Sequence, residues 1–248
     1  MQKPEEKELE VKISIQNLYK SYGSKEVLKG LNLEVYKGEL FGFLGRNGIG
    51  KSTTIDCMIG SKKYNKGTIL LNDFDIKYNP LEAKNSFGYV ASEPTCYEEM
   101  TGYEYLEFTA NIYKLSEGDF KKNYKYLCTR LQLNLNELSN PIADYSHGMK
   151  QKLCLAASLL HSPEIWILDE PTVGLDIMAV EELKKMMREY ANHGNTVFVT
   201  SHNIELVAKL CDRVAIVNNG VIHTLIDLRK DPNKRLQLSR LFMETYGG

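Results

Sequence analysis

The segment Gly45-Arg46-Asn47-Gly48-Ile49-Gly50-Lys51-Ser52 constrains this chain more tightly than any other. It fills every fixed position of the G-x-x-x-x-G-K-[ST] pattern and stands directly after the apolar run Leu40 to Leu44. The run reads as a buried strand ending at Gly45, and Thr53 to Ile59 reads as the helix that follows. Glycines let successive backbone N–H groups converge on phosphate oxygens. The helix behind the loop turns its positive end toward the same anion. In that frame Lys51 faces the β- and γ-phosphates of a nucleoside triphosphate and Ser52 ligates magnesium. The plain alternative, a Gly-rich turn with an incidental lysine, accounts for neither the strand before nor the helix after.

A second strand supplies carboxylates. In Ile165-Trp166-Ile167-Leu168-Asp169-Glu170 four apolar residues bury a strand whose C-terminal edge carries two adjacent acids. Ligands of open α/β sheets sit at that edge. Asp169 suits magnesium, and Glu170 suits general-base or orienting work on an attacking water. Alone, a strand ending in Asp-Glu is common, and the acids could cap the next helix. Paired with the glycine-rich loop, the chemical reading prevails.

Composition removes several classes. Lys plus Arg number 31 and Asp plus Glu 32, a net charge of -1, without the basic excess of a nucleic-acid binder. Arg229-Lys230 and Lys234-Arg235 read as solvated surface. Cys57, Cys96, Cys128, Cys154 and Cys211 are scattered, odd in number and never spaced C-x-x-C, which argues against a disulfide framework or zinc site and for a reducing cytosol. Cys154, in the apolar run Leu153 to Leu160, reads as a small core residue. No stretch reaches the ~18 to 20 apolar residues of a membrane span, and the start, with Glu5, Glu6 and Glu8, has no signal-peptide core.

Strand character recurs at Val11 to Ile15, Gly67 to Leu71, Gly88 to Ala91 and Thr196 to Val199. Val180, Leu183, Met186 and Met187 mark an amphipathic helix. From Thr101 to about Leu160 the spacing is helical, with Tyr105, Phe108, Thr109 and Ile112 on one face and Tyr124, Leu127 and Leu131 on another. Alternating strands and helices predict an α/β fold with a mostly parallel sheet and a helical insertion. Pro232 marks at most a short terminal appendage.

Between the two motifs stands Tyr145-Ser146-His147-Gly148-Met149-Lys150-Gln151, which opens a helix with Ser146 as N-cap. It resembles the signature motif of the ABC ATPase family, usually Leu-Ser-Gly-Gly-Gln. Other marks follow in that family's order. Tyr22 resembles the aromatic that stacks on adenine, Pro171 to Asp176 the D-loop, and His202 the switch histidine. The resemblance spans about Val11 to Leu228 and implies a P-loop NTPase core with an N-terminal antiparallel β subdomain. It further implies one ATPase domain over 11–228, a helical subdomain at about 94–161, and an appendage over 229–248. The implied ATP-binding set is Tyr22, Gly45, Arg46, Asn47, Gly48, Ile49, Gly50, Lys51, Ser52 and Thr53. Ser146, His147 and Gly148 would complete the site from the opposite subunit. Magnesium falls to Ser52 and Asp169, and catalysis to Glu170, His202 and Lys51.

What the resemblance implies is the ATP-hydrolysing subunit of an ABC transporter, a homodimer or a paired ABC ATPase. It would work on separate integral membrane permease subunits, peripherally on the cytoplasmic face of the membrane, without nucleic acid. The rival from another class is a soluble ABC ATPase acting on ribosomes or DNA. Such proteins typically carry two cassettes, long coiled coils or zinc modules, none of which is seen here. A small P-loop kinase would have no use for the signature. The signature variant, and the lack of the extra C-terminal domain of some importers, favour export; the cargo is not readable. The third and fifth signature positions hold His147 and Met149, and His147 is expected to point into solvent. Ser92 stands where the family's Q-loop has Gln, with Glu93 beside it. Ser is too short to reach magnesium, so water should fill that coordination position and Glu93 should face outward.

Overall fold

The computed structural model describes residues 9–230 and 233–247. The expectations placed on Glu5, Glu6, Glu8 and Pro232 lie outside the described residues. An antiparallel sheet is built from β1 (Val11–Tyr22), β2 (Lys25–Tyr36), β4 (Lys66–Leu71) and β5 (Phe74–Asp75), in the order β2-β1-β4-β5. The second sheet takes β3 (Leu40–Leu44), β6 (Phe87–Val90), β7 (Ile165–Asp169), β8 (Thr196–Ser201), β9 (Arg213–Asn218) and β10 (Val221–Asp227). Its order is β10-β9-β3-β8-β7-β6, parallel from β9 to β6, with β10 returning antiparallel on β9. The architecture is the α/β class anticipated from the alternation.

Every residue of β3 and of β7 is buried, the pattern of parallel strands covered on both faces. The core accordingly divides into two clusters. One, around Phe41, Phe43, Phe198 and Ile55, lies toward the antiparallel sheet; the other, around Trp166, Leu168, Val199 and Leu153, lies toward the helical insertion. The indole N–H of Trp166 donates to the Ser158 hydroxyl at 3.0 Å, tying β7 to the insertion without leaving a buried donor unpaired.

β1 runs on to Tyr22, beyond the Val11 to Ile15 stretch expected, through several register irregularities. β2 was not anticipated, although Leu31, Leu33 and Val35 are buried and alternate with exposed Asn32 and Glu34, the period of a strand with one wet face.

The insertion between β6 and β7 holds α3 (Gly102–Ile112), α4 (Glu117–Arg130) and α5 (His147–Leu159). A capping box of Thr101 and Glu104 starts α3, and Ser116 caps α4. The shared face of Tyr105, Phe108, Thr109 and Ile112 is not the buried one: Gly102, Leu106 and Ala110 are buried, whereas Phe108 and Ile112 are exposed. The aromatic residues give the stronger periodic signal, but Gly102 is needed where it stands: a Cβ there would fall 2.3 Å from the Tyr145 hydroxyl. On α4 and its C-cap, Leu127 and Leu131 are buried, with Tyr124 half-buried.

Around the parallel sheet lie α1 (Lys51–Met58), α6 (Ile177–Asn192) and α7 (Ile204–Leu210); the short α2 (Pro80–Asn85) precedes β6, and α8 (Asn233–Tyr246) follows β10. Leu183, Met186 and Met187 form the buried face of α6, as their spacing predicts. The terminal basic runs do more than meet solvent. Arg229 pairs with buried Glu39 at 3.6 Å, and Arg235 donates to the Ala208 carbonyl. Among the described residues no helix is long and apolar enough to cross a membrane.

Candidate functional site

β3 ends at Leu44, and the chain turns through Gly45 to Gly50 into α1. Gly50 is the N-cap of α1 with φ 112°, a backbone state that L side chains rarely adopt, and a Cβ there would press on Leu28 at 3.1 Å. Lys51 is buried, and its ammonium donates to the carbonyls of Gly45 at 2.8 Å and Arg46 at 3.3 Å. A buried cation inside a glycine-rich loop and at a helix N-terminus makes the concavity attractive to an anion.

A cavity of about 370 Å³ opens over this loop, walled by Asn47, Gly48, Gly50, Lys51, Ser52 and Thr53. Glu170, Val173, His202, Ser92 and Glu93 complete its wall. β7 and β8 lie side by side, so their C-terminal ends bring Glu170 and His202 to the same rim. Glu170 is held at φ 48°, a costly backbone conformation for a non-glycine residue of the kind that collects at functional sites. Its Oε2 lies 3.0 Å from His202 Nδ1. Its Oε1 lies 3.6 Å from the Lys51 ammonium and is buried without a hydrogen-bond donor. A carboxylate oxygen so placed can accept a proton from a water entering the cavity.

Asp169 is buried behind Glu170 and accepts a hydrogen bond from the Thr200 hydroxyl. The Glu170 amide donates to that same hydroxyl oxygen at 3.1 Å. Thr200 therefore orients both acids. Sequence reasoning passed over it, although a Thr two residues before His202 at the end of an apolar strand was the available signal.

Of the sequence-predicted residues, Gly45, Arg46 and Ile49 complete the loop without walling the cavity; Ile49 is packed against the core. Tyr22 is exposed at the end of β1, outside the cavity wall, with the Lys20 ammonium 4.5 Å over its ring. Ser146, His147 and Gly148 also lie outside the wall, at the start of α5, where Ser146 Oγ accepts from the Met149 amide at 3.2 Å. His147 is exposed but not free in solvent. Its ring covers Gly174 so closely that a Cβ there would fall 2.1 Å from Cδ2. Gln151 and Lys152 continue this seam, donating to the Pro171 carbonyl and the Asp176 carboxylate, each at 3.4 Å. Glu93 is a second correction. It is exposed yet forms part of the cavity wall with Ser92, so it does not face away from the site.

A family model described as ABC transporter matches residues 28–173, which carry the loop, the signature and the Asp169–Glu170 pair. The chain belongs to the ABC transporter family. The cassette is 36% identical over 208 residues to the linearmycin resistance ATP-binding protein LnrL of Bacillus subtilis, covering 84% of this chain and 67% of that one. It is 30% identical over 225 residues to the lantibiotic transport ATP-binding protein SrtF of Streptococcus pyogenes, covering 91% and 94%. A solved structure of an ATP-binding subunit of an ABC transporter superposes with a TM-score of 0.87 at 30% identity, covering 94% of this chain and 99% of that one. The chain is thus an ATP-binding transporter ATPase of the ABC type, and the ribosomal or DNA-directed alternative falls away.

Proposed function

We propose that two cassettes, two copies of this chain or this chain and a paired ABC ATPase, close head-to-tail on ATP and drive separate integral membrane permease subunits from the cytoplasmic face. The observation that carries this reading is the division of the site. Lys51, Ser52, Glu170 and His202 share one cavity, while exposed Ser146 and His147 and half-buried Gly148 sit on another element outside its wall. A signature that serves the γ-phosphate must then serve the phosphate held by another subunit.

In this reading Gly45 to Thr53 grip the triphosphate, with the Lys51 ammonium leaving the loop carbonyls for the β- and γ-oxygens. Tyr22 stacks on adenine. Glu170, fixed by His202 and Thr200, accepts the proton of the attacking water, and the proton stays on Oε1 until product leaves. His202 reaches the γ-phosphate. Ser52 and Asp169 offer the hard oxygen donors that magnesium prefers, and the few protein ligands suit an ion that retains most of its waters. Magnesium would neutralise the charge that develops between the β- and γ-oxygens.

The ATPase domain is taken as 11–228, with the helical subdomain at about 94–161 and the remainder as an appendage. Export is the favoured direction, supported by the exporter-like signature and by relatives named for antibiotic resistance and lantibiotic transport. Affinity capture from detergent-solubilised membranes tests the reading. A co-purifying polytopic protein supports it, and capture of ribosomes or DNA in its place refutes it.

A further inference from the structure

Two of the five cysteines meet away from the nucleotide cavity. Cys96 follows the Ser92–Glu93 wall by three residues, and Cys154 lies on α5, the helix that opens with the signature. Their Sγ atoms are 3.3 Å apart, and both residues are half-buried. A neighbouring cavity of about 340 Å³, walled by Thr95, Tyr105, Thr109 and Cys154, opens on Cys154, and Cys96 is itself partly exposed to a small oxidant. The other three thiols are buried and poorly reactive: burial pushes Cys57 up to about 11, Cys128 up to about 12, and Cys211 upward as well. Cys96 shifts the other way, because the Cys154 thiol donates to it, with Lys150 adding positive charge nearby. Thiolate character, partial exposure and a resolving partner are thus found together at one place.

We propose that Cys96 and Cys154 are a redox modification site, forming a peroxide-driven disulfide that pins the cavity wall to the signature helix and arrests ATP turnover. The Cys96 thiolate attacks hydrogen peroxide, the O–O bond breaks, and hydroxide leaves to become water. The Cys154 sulfur then attacks the resulting Cys96 sulfenic acid. The S–O bond breaks, and the hydroxyl departs with the Cys154 proton as a second water. Two electrons pass from the two sulfurs to one peroxide. The sulfur atoms must close from 3.3 Å to ~2.05 Å, which side-chain rotation and a small backbone adjustment supply.

The functional consequence rests on the composite-site reading. Ser92 and Glu93 approach the nucleotide from one side, and the signature must be presented to a second subunit from the other. A covalent tie between the segment after Glu93 and the middle of α5 removes the independent adjustment of the two. Because closing steps of this kind set turnover in many enzymes, a tie across them is expected to slow hydrolysis about tenfold or more.

The test treats the full chain with graded hydrogen peroxide, then combines peptide mapping without reductant with ATPase assays. A linked Cys96–Cys154 peptide, a parallel fall in turnover and its recovery with dithiothreitol are expected. Cys96→Ser and Cys154→Ser should keep their unoxidised turnover within about twofold of the parent and resist peroxide. The proposal is overturned by absence of the linked peptide, by a linked peptide with unchanged turnover, or by equal peroxide inhibition of the serine variants. Failure of the composite-site reading is seen separately, as full activity of a cassette with a blocked signature, and leaves peptide mapping unaffected.

Discussion

The two walls that close around ATP in the proposed composite site are held in opposite ways. On the loop wall, Lys51 and Asp169 are buried, Thr200 bridges the two acids, and β3, β7 and β8 lie side by side beneath them. The signature wall is an exposed helix start. Its polar residues are fastened to the 171–176 loop by His147 over Gly174, Gln151 on Pro171 and Lys152 on Asp176. The first wall is organised within one chain and should bind nucleotide alone. The second is shaped for presentation, so its defects should appear in turnover rather than in binding.

The sharpest separation is expected at Glu170. Its Oε1 is buried without a donor, which supports the base role proposed for it, while the loop residues wall the cavity. Glu170→Gln should lower turnover by about 10³-fold, on the scale of losing a major preorganised group. ATP affinity should be retained, and sizing chromatography should find an ATP-dependent dimer. Parent-like turnover would remove Glu170 from the role.

Ser146→Arg attacks the other wall. A bulky cation at the N-cap both removes the bond to the Met149 amide and obstructs the partner's nucleotide. Turnover should drop about 10²-fold, with monomer ATP binding within about twofold of the parent. Mixing with Lys51→Ala chains should restore at most one composite site per dimer. Full activity of Ser146→Arg by itself would break the comparison.

A third test probes how the insertion is moored to the core. His161, after α5, lies ring on ring against Tyr113 with centroids 3.6 Å apart, and its Nε2 lies 3.1 Å from the Phe87 carbonyl. Nε2–H is the donor in that contact, and Nδ1 is buried without a partner. Burial lowers its pKa from 6.5 to about 4. The unfolded chain therefore takes up the proton first as pH falls. This contribution is complete above pH 6.5 and is lost on the way to 4. Between neutral pH and about pH 4.5 it should cost about 2 kcal/mol of unfolding free energy, with partial solvent access included. His161→Gln keeps a donor for Phe87 and should flatten that part of the pH profile in urea unfolding. An unchanged profile would place the sensitivity elsewhere.

Legibility from sequence followed the same division. The Leu40 to Leu44 and Ile165 to Asp169 strands were readable because strands buried on both faces leave continuous apolar runs, and Gly48 and Gly50 mark positive-φ positions that L side chains rarely adopt. The buried face of α3 was not, since it consists of Gly102, Leu106 and Ala110, of which only Leu106 gives an apolar signal of any size, while Tyr105 and Phe108 dominate the periodicity; Gly102 is required by the Tyr145 ring beside it. Thr200 escaped because a hydroxyl at a strand end acquires meaning only when the neighbouring strand sets Asp169 beside it. His147 looked like a solvent-facing departure from a glycine; its contact with Gly174 depends on a loop 27 residues later in the chain.

The smallest expected effect lies at Glu93. Glu93 lines the nucleotide cavity with Ser92, which puts it on the side of the site where a bound metal ion would feel its charge. It is also exposed, unlike Asp169, so its charge is screened by solvent and salt. A direct ligand would bring a third carboxylate to Asp169 and Glu170, and the like-charge repulsion opposes that step. Magnesium gives up its waters reluctantly, so a water between Glu93 and the ion meets the demand of both. Glu93→Ala should therefore change basal hydrolysis by less than about threefold, the scale of a screened surface charge. The apparent magnesium affinity in a metal titration should weaken by a similarly small factor. A collapse of basal hydrolysis, restored by high magnesium, would instead make Glu93 a ligand and extend the tightly held wall across the cavity.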